Sequence, residues 1–159
     1  MKSFPLLGIG ILAASLLSVG CAHNPGPEPS TTAAANSAAA PATGDAKAQA
    51  TRGGQLFGQH CANCHGDGGQ GTIGAPPLVG KEALPLDPPA TAKYRKTPFH
   101  TAGDVYAFAK ANMPAKDPGT LSQDEYLAVV AFDLQANGVD LTGKAALTPD
   151  ALATIVLHP

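Results

Sequence analysis

The chain has 159 residues, with 10 basic and 12 acidic side chains for a formal charge of −2, and 5% of its residues are aromatic. So even a balance offers neither a basic surface for nucleic acid nor a charged tail. Once its N-terminal segments are set aside, the length suits one small domain.

The first residues read as an export signal. Lys2 gives a positive start and Phe4 to Val19 is an uncharged apolar run, which predicts a secretory signal peptide over residues 1–20. As a membrane-spanning helix it is short against the roughly 20 apolar residues needed. Cys21 follows, the odd thiol of three, and an unpaired cysteine in a secreted chain asks for a role. Its context, Leu17-Ser18-Val19-Gly20-Cys21, resembles a bacterial lipoprotein processing box, which implies a lipidated Cys21 and a periplasmic, membrane-anchored protein. An ordinary signal-peptidase cut after Gly20 or Ala22 is the alternative. Residues 21–51 are rich in Pro, Ala, Ser and Thr and bury too little apolar surface to offset their ordering entropy. They are expected to form a disordered tether with a reach of about 30 Å, a useful length if Cys21 is anchored.

The domain is expected over residues 52–159. A helix is predicted from Thr51 to His60, with Phe57 as its core contact. It leads into Cys61-Ala62-Asn63-Cys64-His65, and two cysteines three apart followed at once by a histidine form the attachment signature of a c-type haem. One helical turn presents both thiols to the porphyrin vinyl groups, and the next residue turns its imidazole to the iron. Structural zinc needs about four ligands, and beyond Cys64 only His65, His100 and His158 are available. A thioredoxin-like redox pair would sit near a βαβ pattern, which this chain lacks. One motif therefore predicts one covalent haem c.

The glycine-rich stretch Gly66 to Gly74 must turn sharply, and Ala75-Pro76-Pro77-Leu78-Val79-Gly80 follows where the chain can wrap the haem edge. Lys81 to Phe99, with four prolines, reads as irregular. Its Lys93, Arg95 and Lys96 are either a cluster for haem propionates or an acidic partner, or a solvated loop. A helix capped by Thr101 with Asp104 carries Val105, Phe108, Ala109 and Asn112 on one face and stops before Pro114. Ser122 and Glu125 form a capping box for a helix to Asn137, with Tyr126, Val129, Val130 and Leu134 as its apolar stripe. Thr148 and Pro149 open a last short helix to about Leu157, a brace on the domain. Met113 is the sole methionine beyond Met1. It is either a thioether ligand completing a His/Met site, which raises the potential, or a filler of the core.

With these parts in order, the domain resembles a class I mono-haem cytochrome c. The likeness runs from Arg52 to Gly138 through a Gly and aromatic helix, the Cys61–His65 motif, a Pro-Leu-Gly loop, a Met-Pro segment and a capped helix. It implies an all-α cytochrome c fold and a Pro76 carbonyl that accepts a hydrogen bond from His65. It also implies a crossing of first and last helices formed by Phe57 and Tyr126. A fainter similarity joins Thr101 to Pro149 to cytochromes that accompany periplasmic dehydrogenases such as quinoproteins. The expected function is one-electron transfer between a periplasmic donor, such as a dehydrogenase, and an acceptor such as a terminal oxidase, with no substrate transformed. A haem subunit of a fixed dehydrogenase complex is the alternative, and a haem peroxidase or gas sensor would need an open sixth position.

Overall fold

The computed structural model describes residues 44–158. The expected signal peptide, Cys21 and the tether as far as residue 43 lie outside them. The described residues are all-α: α1 (Ala46–His60), α2 (Ala62–His65), α3 (Ala102–Asn112), α4 (Gln123–Ala136) and α5 (Pro149–Thr154), with isolated antiparallel bridges at Asp45–Ala145 and Thr101–Val156. None of these helices is long and apolar enough to cross a membrane.

The first helix begins earlier than its apolar pattern predicts. Asp45 caps it, accepting from the Ala48 amide at 2.8 Å, so the last residues assigned to the tether belong to the domain. The reason is long-range. Ala46 and Ala50 are fully buried, and the buried Gln49 side chain exchanges two hydrogen bonds with the Leu147 backbone, donating at 3.1 Å and accepting at 2.7 Å. A small-residue face lets the 139–148 segment lie directly against α1.

Helices α1 and α4 form the central crossing. Gly53 sits there because an added Cβ would fall 2.5 Å from the Ala128 carbonyl carbon, closer still to its oxygen, and 3.0 Å from the Phe132 Cβ. The aromatic contact at this crossing differs from the expectation. Phe57 packs on Phe132, with ring centroids 5.1 Å apart, while Tyr126, one face round and two turns earlier, turns its hydroxyl to Met113. The whole middle of α4, from Tyr126 to Ala131 together with Asp133 and Leu134, is buried, so no single stripe marks the side facing α1.

Helix α3 starts at the expected capping box. Asp104 accepts from the His100 and Thr101 amides at 2.9 and 2.8 Å, and the Thr101 hydroxyl accepts from the Asp104 amide at 3.3 Å. Its buried face is Ala102, Val105 and Tyr106, with Phe108 and Ala109 partly covered. The C-terminal segment packs on it. Thr148 caps α5 by accepting from the Ala151 amide at 3.2 Å, and Leu152 is fully buried. Beyond Thr154 the chain leaves the helix and runs along the start of α3: Ala102 donates to Ile155 at 2.9 Å and Leu157 to His100 at 3.0 Å.

Candidate haem site

Helix α1 ends at Cys61, whose amide donates to the Phe57 carbonyl at 2.8 Å, and the four residues of α2 follow at once. Cys61 is half-buried and Cys64 exposed, both as free thiols. Burial first, then Asp133 and Cys64, push the Cys61 thiol up to about 12, so it rests protonated at neutral pH.

His65 closes α2, buried, with Nδ1 2.8 Å from the Pro76 carbonyl oxygen. A carbonyl can only accept, so Nδ1 carries the proton and Nε2 keeps a free lone pair, the arrangement a metal-binding imidazole needs. The loop that supplies Pro76 is tied back to the motif. Gly71 donates to the His65 carbonyl at 2.7 Å, the Thr72 hydroxyl to the Cys64 carbonyl at 2.6 Å, and Leu78 and Val79 both donate to Gly69. Gly71 has φ +85°, and a Cβ there would lie 2.8 Å from the Pro77 nitrogen. Only glycine lets the loop fold so tightly behind the histidine.

Met113 stands on a different element, at the C-cap of α3, half-buried. The Tyr126 hydroxyl donates to its carbonyl at 2.5 Å and accepts from the Gly119 amide at 3.1 Å. The segment after α3 is thus pinned to α4. Asn137 makes a second tie, donating to the Leu78 carbonyl at 2.8 Å and accepting from the Gly80 amide at 3.0 Å, which joins the end of α4 to the Pro-Leu-Gly loop. Neither role is legible in the sequence, where Tyr126 and Asn137 fit a stripe and a helix cap equally well.

The basic cluster is not one unit. Arg95 is buried, donating from Nε to Thr97 at 3.0 Å and from its terminal nitrogen to the Pro85 and Leu86 carbonyls, with its guanidinium 3.6 Å from the centre of the Phe99 ring. Burial lowers its proton affinity, with Asp87 acting in the opposite sense, yet a guanidinium remains a cation. It holds the irregular 84–99 segment together in the way a core residue would, because carbonyls of a strand-free loop need donors. Lys93 and Lys96 stay exposed.

Among the described residues no group of three or more His, Cys, Asp or Glu gathers as a site for a bare metal ion. Two thiols one helical turn apart, beside an imidazole whose Nε2 is free, fit a haem. Cys61 and Cys64 would hold it and His65 would face its iron.

No curated protein matches the chain. Among solved structures, one chain of the sulfane dehydrogenase SoxCD from Paracoccus pantotrophus is similar at 30% identity with a TM-score of 0.51, over 67% of this chain and 52% of that one. The chain therefore spans about half the length of that relative. The family model described as cytochrome c oxidase, cbb3-type, subunit III matches residues 48–132, which contain most of α1, the Cys61–His65 motif, the loop behind it, Met113 and most of α4. Motif, helical fold and matched span agree, and the chain belongs to that family of cytochrome c domains, proteins of haem-based electron transfer.

Proposed function

We propose that the protein is a one-electron carrier of the cell envelope. Cys61 and Cys64 would hold a single haem c through thioether bonds, His65 and Met113 would ligate its iron, and the protein would pass electrons from a periplasmic dehydrogenase to a respiratory acceptor. The observation that carries this reading is the His65 to Pro76 hydrogen bond, which leaves Nε2 as the free imidazole nitrogen. Haem c supplies the reversible one-electron chemistry of its iron. The chain's own part is to orient the imidazole through Pro76, hold Met113 in place through Tyr126, and exclude water with the α1–α4 core. This reading asks no side chain to act as nucleophile or base; the role proposed is a carrier's.

The test is Met113→Ala. A thioether favours ferrous iron, so the variant should lose potential, keep its covalent haem and bind carbon monoxide readily where the parent resists it. A parent that binds carbon monoxide as fast as the variant would move the reading to a peroxidase or gas sensor. The similarity to a sulfane dehydrogenase favours a second reading, a haem-bearing subunit of a fixed dehydrogenase complex. Co-purification with a dehydrogenase after salt washing separates the two. We further place the protein on the periplasmic side of the membrane through a lipidated Cys21. Cys21→Ser should release it from membranes with its spectrum unchanged, and a wild-type protein found wholly in the soluble fraction excludes the anchor.

A further inference from the structure

Within the run Tyr126 to Leu134 of α4, Asp133 is the one ionisable residue besides the tyrosine, and it has no place in the site described above. Its side chain is 4% exposed, and Oδ1 is buried without a hydrogen-bond partner. The one ion pair among the described residues, Arg52–Glu125 at 3.8 Å, lies two turns away at the start of the helix. No charged or titratable group on the elements around it is hydrogen-bonded to its side chain. On α1, Arg52 and His60 act on Glu125 and Lys47 on Asp140, with Nη1 of Arg52 itself buried without a partner; on α2, Cys64 acts on Cys61 and His65 is held by the Pro76 carbonyl; and the 78–80 segment brings only Leu78, Val79 and Gly80. The Asp133 carboxyl acts directly on Cys61, and as a thioether Cys61 would carry no charge. Among the described residues no cation and no donor holds the anion of this carboxyl, so it keeps its proton. Burial alone pushes it up to about 8.

We propose that Asp133 is a proton-binding site coupled to the electron on the haem. The inference rests on the reading that Cys61 carries the cofactor. Reduction of the ferric site takes one electron from the redox donor, and the Asp133 carboxylate takes one proton from solvent. Oxidation returns both. The sign follows from charge. Ferric iron carries one more positive charge than ferrous, which favours a carboxylate in the same low-dielectric interior. The oxidised protein therefore releases the proton at lower pH than the reduced one. Between those two values the midpoint potential falls as pH rises, approaching a tenfold change in equilibrium constant per pH unit, or about 59 mV for one electron. The ligand is thus a proton, and the output is a carrier whose driving force depends on the acidity of its compartment.

The experiment is spectroelectrochemical titration of the full haem-bearing protein from acid to alkaline pH, in the wild type and in Asp133→Asn. It is combined with infrared difference spectra between reduced and oxidised states of protein labelled with 13C-aspartate. The wild type should show a pH-dependent potential around neutral to mildly alkaline pH and a protonated carboxyl band that grows on reduction and shifts with the label. Asp133→Asn should flatten the slope and abolish the band. A slope retained in the variant, or a wild type with no label-sensitive carboxyl band, overturns the proposal; the band is read in the wild type, so it decides the matter even if the variant fails to fold. Mass measurement beforehand shows whether the haem is covalent. Its absence refutes the carrier reading, whereas a haem-bearing protein with a pH-independent potential refutes only the coupling.

Discussion

Gly53→Ala tests the central crossing of the fold. A methyl group at Gly53 would stand 2.5 Å from the Ala128 carbonyl carbon and 3.0 Å from the Phe132 Cβ, whereas carbon atoms rest at about 3.5–4.0 Å. The obstacle is backbone on a buried helix, which no rotamer change can move aside, so α1 and α4 must separate by roughly 1 Å. Overpacking of this kind costs about 1–3 kcal/mol, offset by about 0.8–1.0 kcal/mol of helix propensity gained on replacing glycine. Gly58, on the same helix, meets nothing within 4 Å, and Gly58→Ala should keep the whole propensity gain. The two variants should therefore differ by about 1–3 kcal/mol, which for a domain of this size is roughly 4–12 °C in Tm. Urea unfolding of the haem-bearing protein followed by circular dichroism, with the m-value checked for constancy, measures the gap. A Gly53→Ala protein as stable as Gly58→Ala would show that the helices are not in contact at this point.

Further expectations concern the site and its supports. Tyr126→Phe removes the donor to Met113 and the acceptor for Gly119; it should cost about 1–2 kcal/mol in urea unfolding and speed carbon monoxide binding, and an unchanged binding rate would dismiss the hydroxyl as the anchor of Met113. Asp104 is held below the usual carboxylate range, chiefly by the Thr101 amide. Its contribution is present above the unfolded value near 3.8 and is lost as pH falls through the lower folded value, so Asp104→Ala should be less stable than wild type at neutral pH, with the gap closing in acid. Cys61→Ala or Cys64→Ala should sharply lower the yield of folded haem-bearing protein, read by absorbance per unit protein; normal accumulation of a fully folded haem-free domain would count against a core built round the cofactor.

The parts legible in the sequence are those whose physics is local. The Cys61–His65 spacing, the Thr101–Asp104 and Ser122–Glu125 boxes and the Thr148-Pro149 start each need only a few consecutive residues, and each stands where those residues place it. What stays hidden depends on partners far along the chain. Nothing in Ala46 to Ala50 signals a buried helix face until Leu147 is known to meet Gln49. Phe132 takes the place at the crossing expected of Tyr126 because a helix buried on nearly every side has no stripe to orient it. Arg95 reads as surface charge, since no pattern tells that Phe99 and three loop carbonyls enclose its guanidinium. Asp133 does leave a trace, a carboxylate inside an apolar run.

The pairing of Gln49 with Leu147 spans 98 positions of sequence, and the α1–α4 crossing is likewise non-local. Such contacts form late, because the entropy of closing the intervening loop must be met before they reward it. During synthesis α1 emerges before the other helices and finds nothing to pack against until α4 and the 139–148 segment have followed. The Cys61–His65 segment at its end therefore remains open and unfolded for the passage of most of the domain. In that interval the half-buried Cys61, later packed beside Val129 and Phe132 of α4, is as open to reagents as its exposed neighbour Cys64, and the difference between the two thiols appears only when the last quarter of the chain arrives.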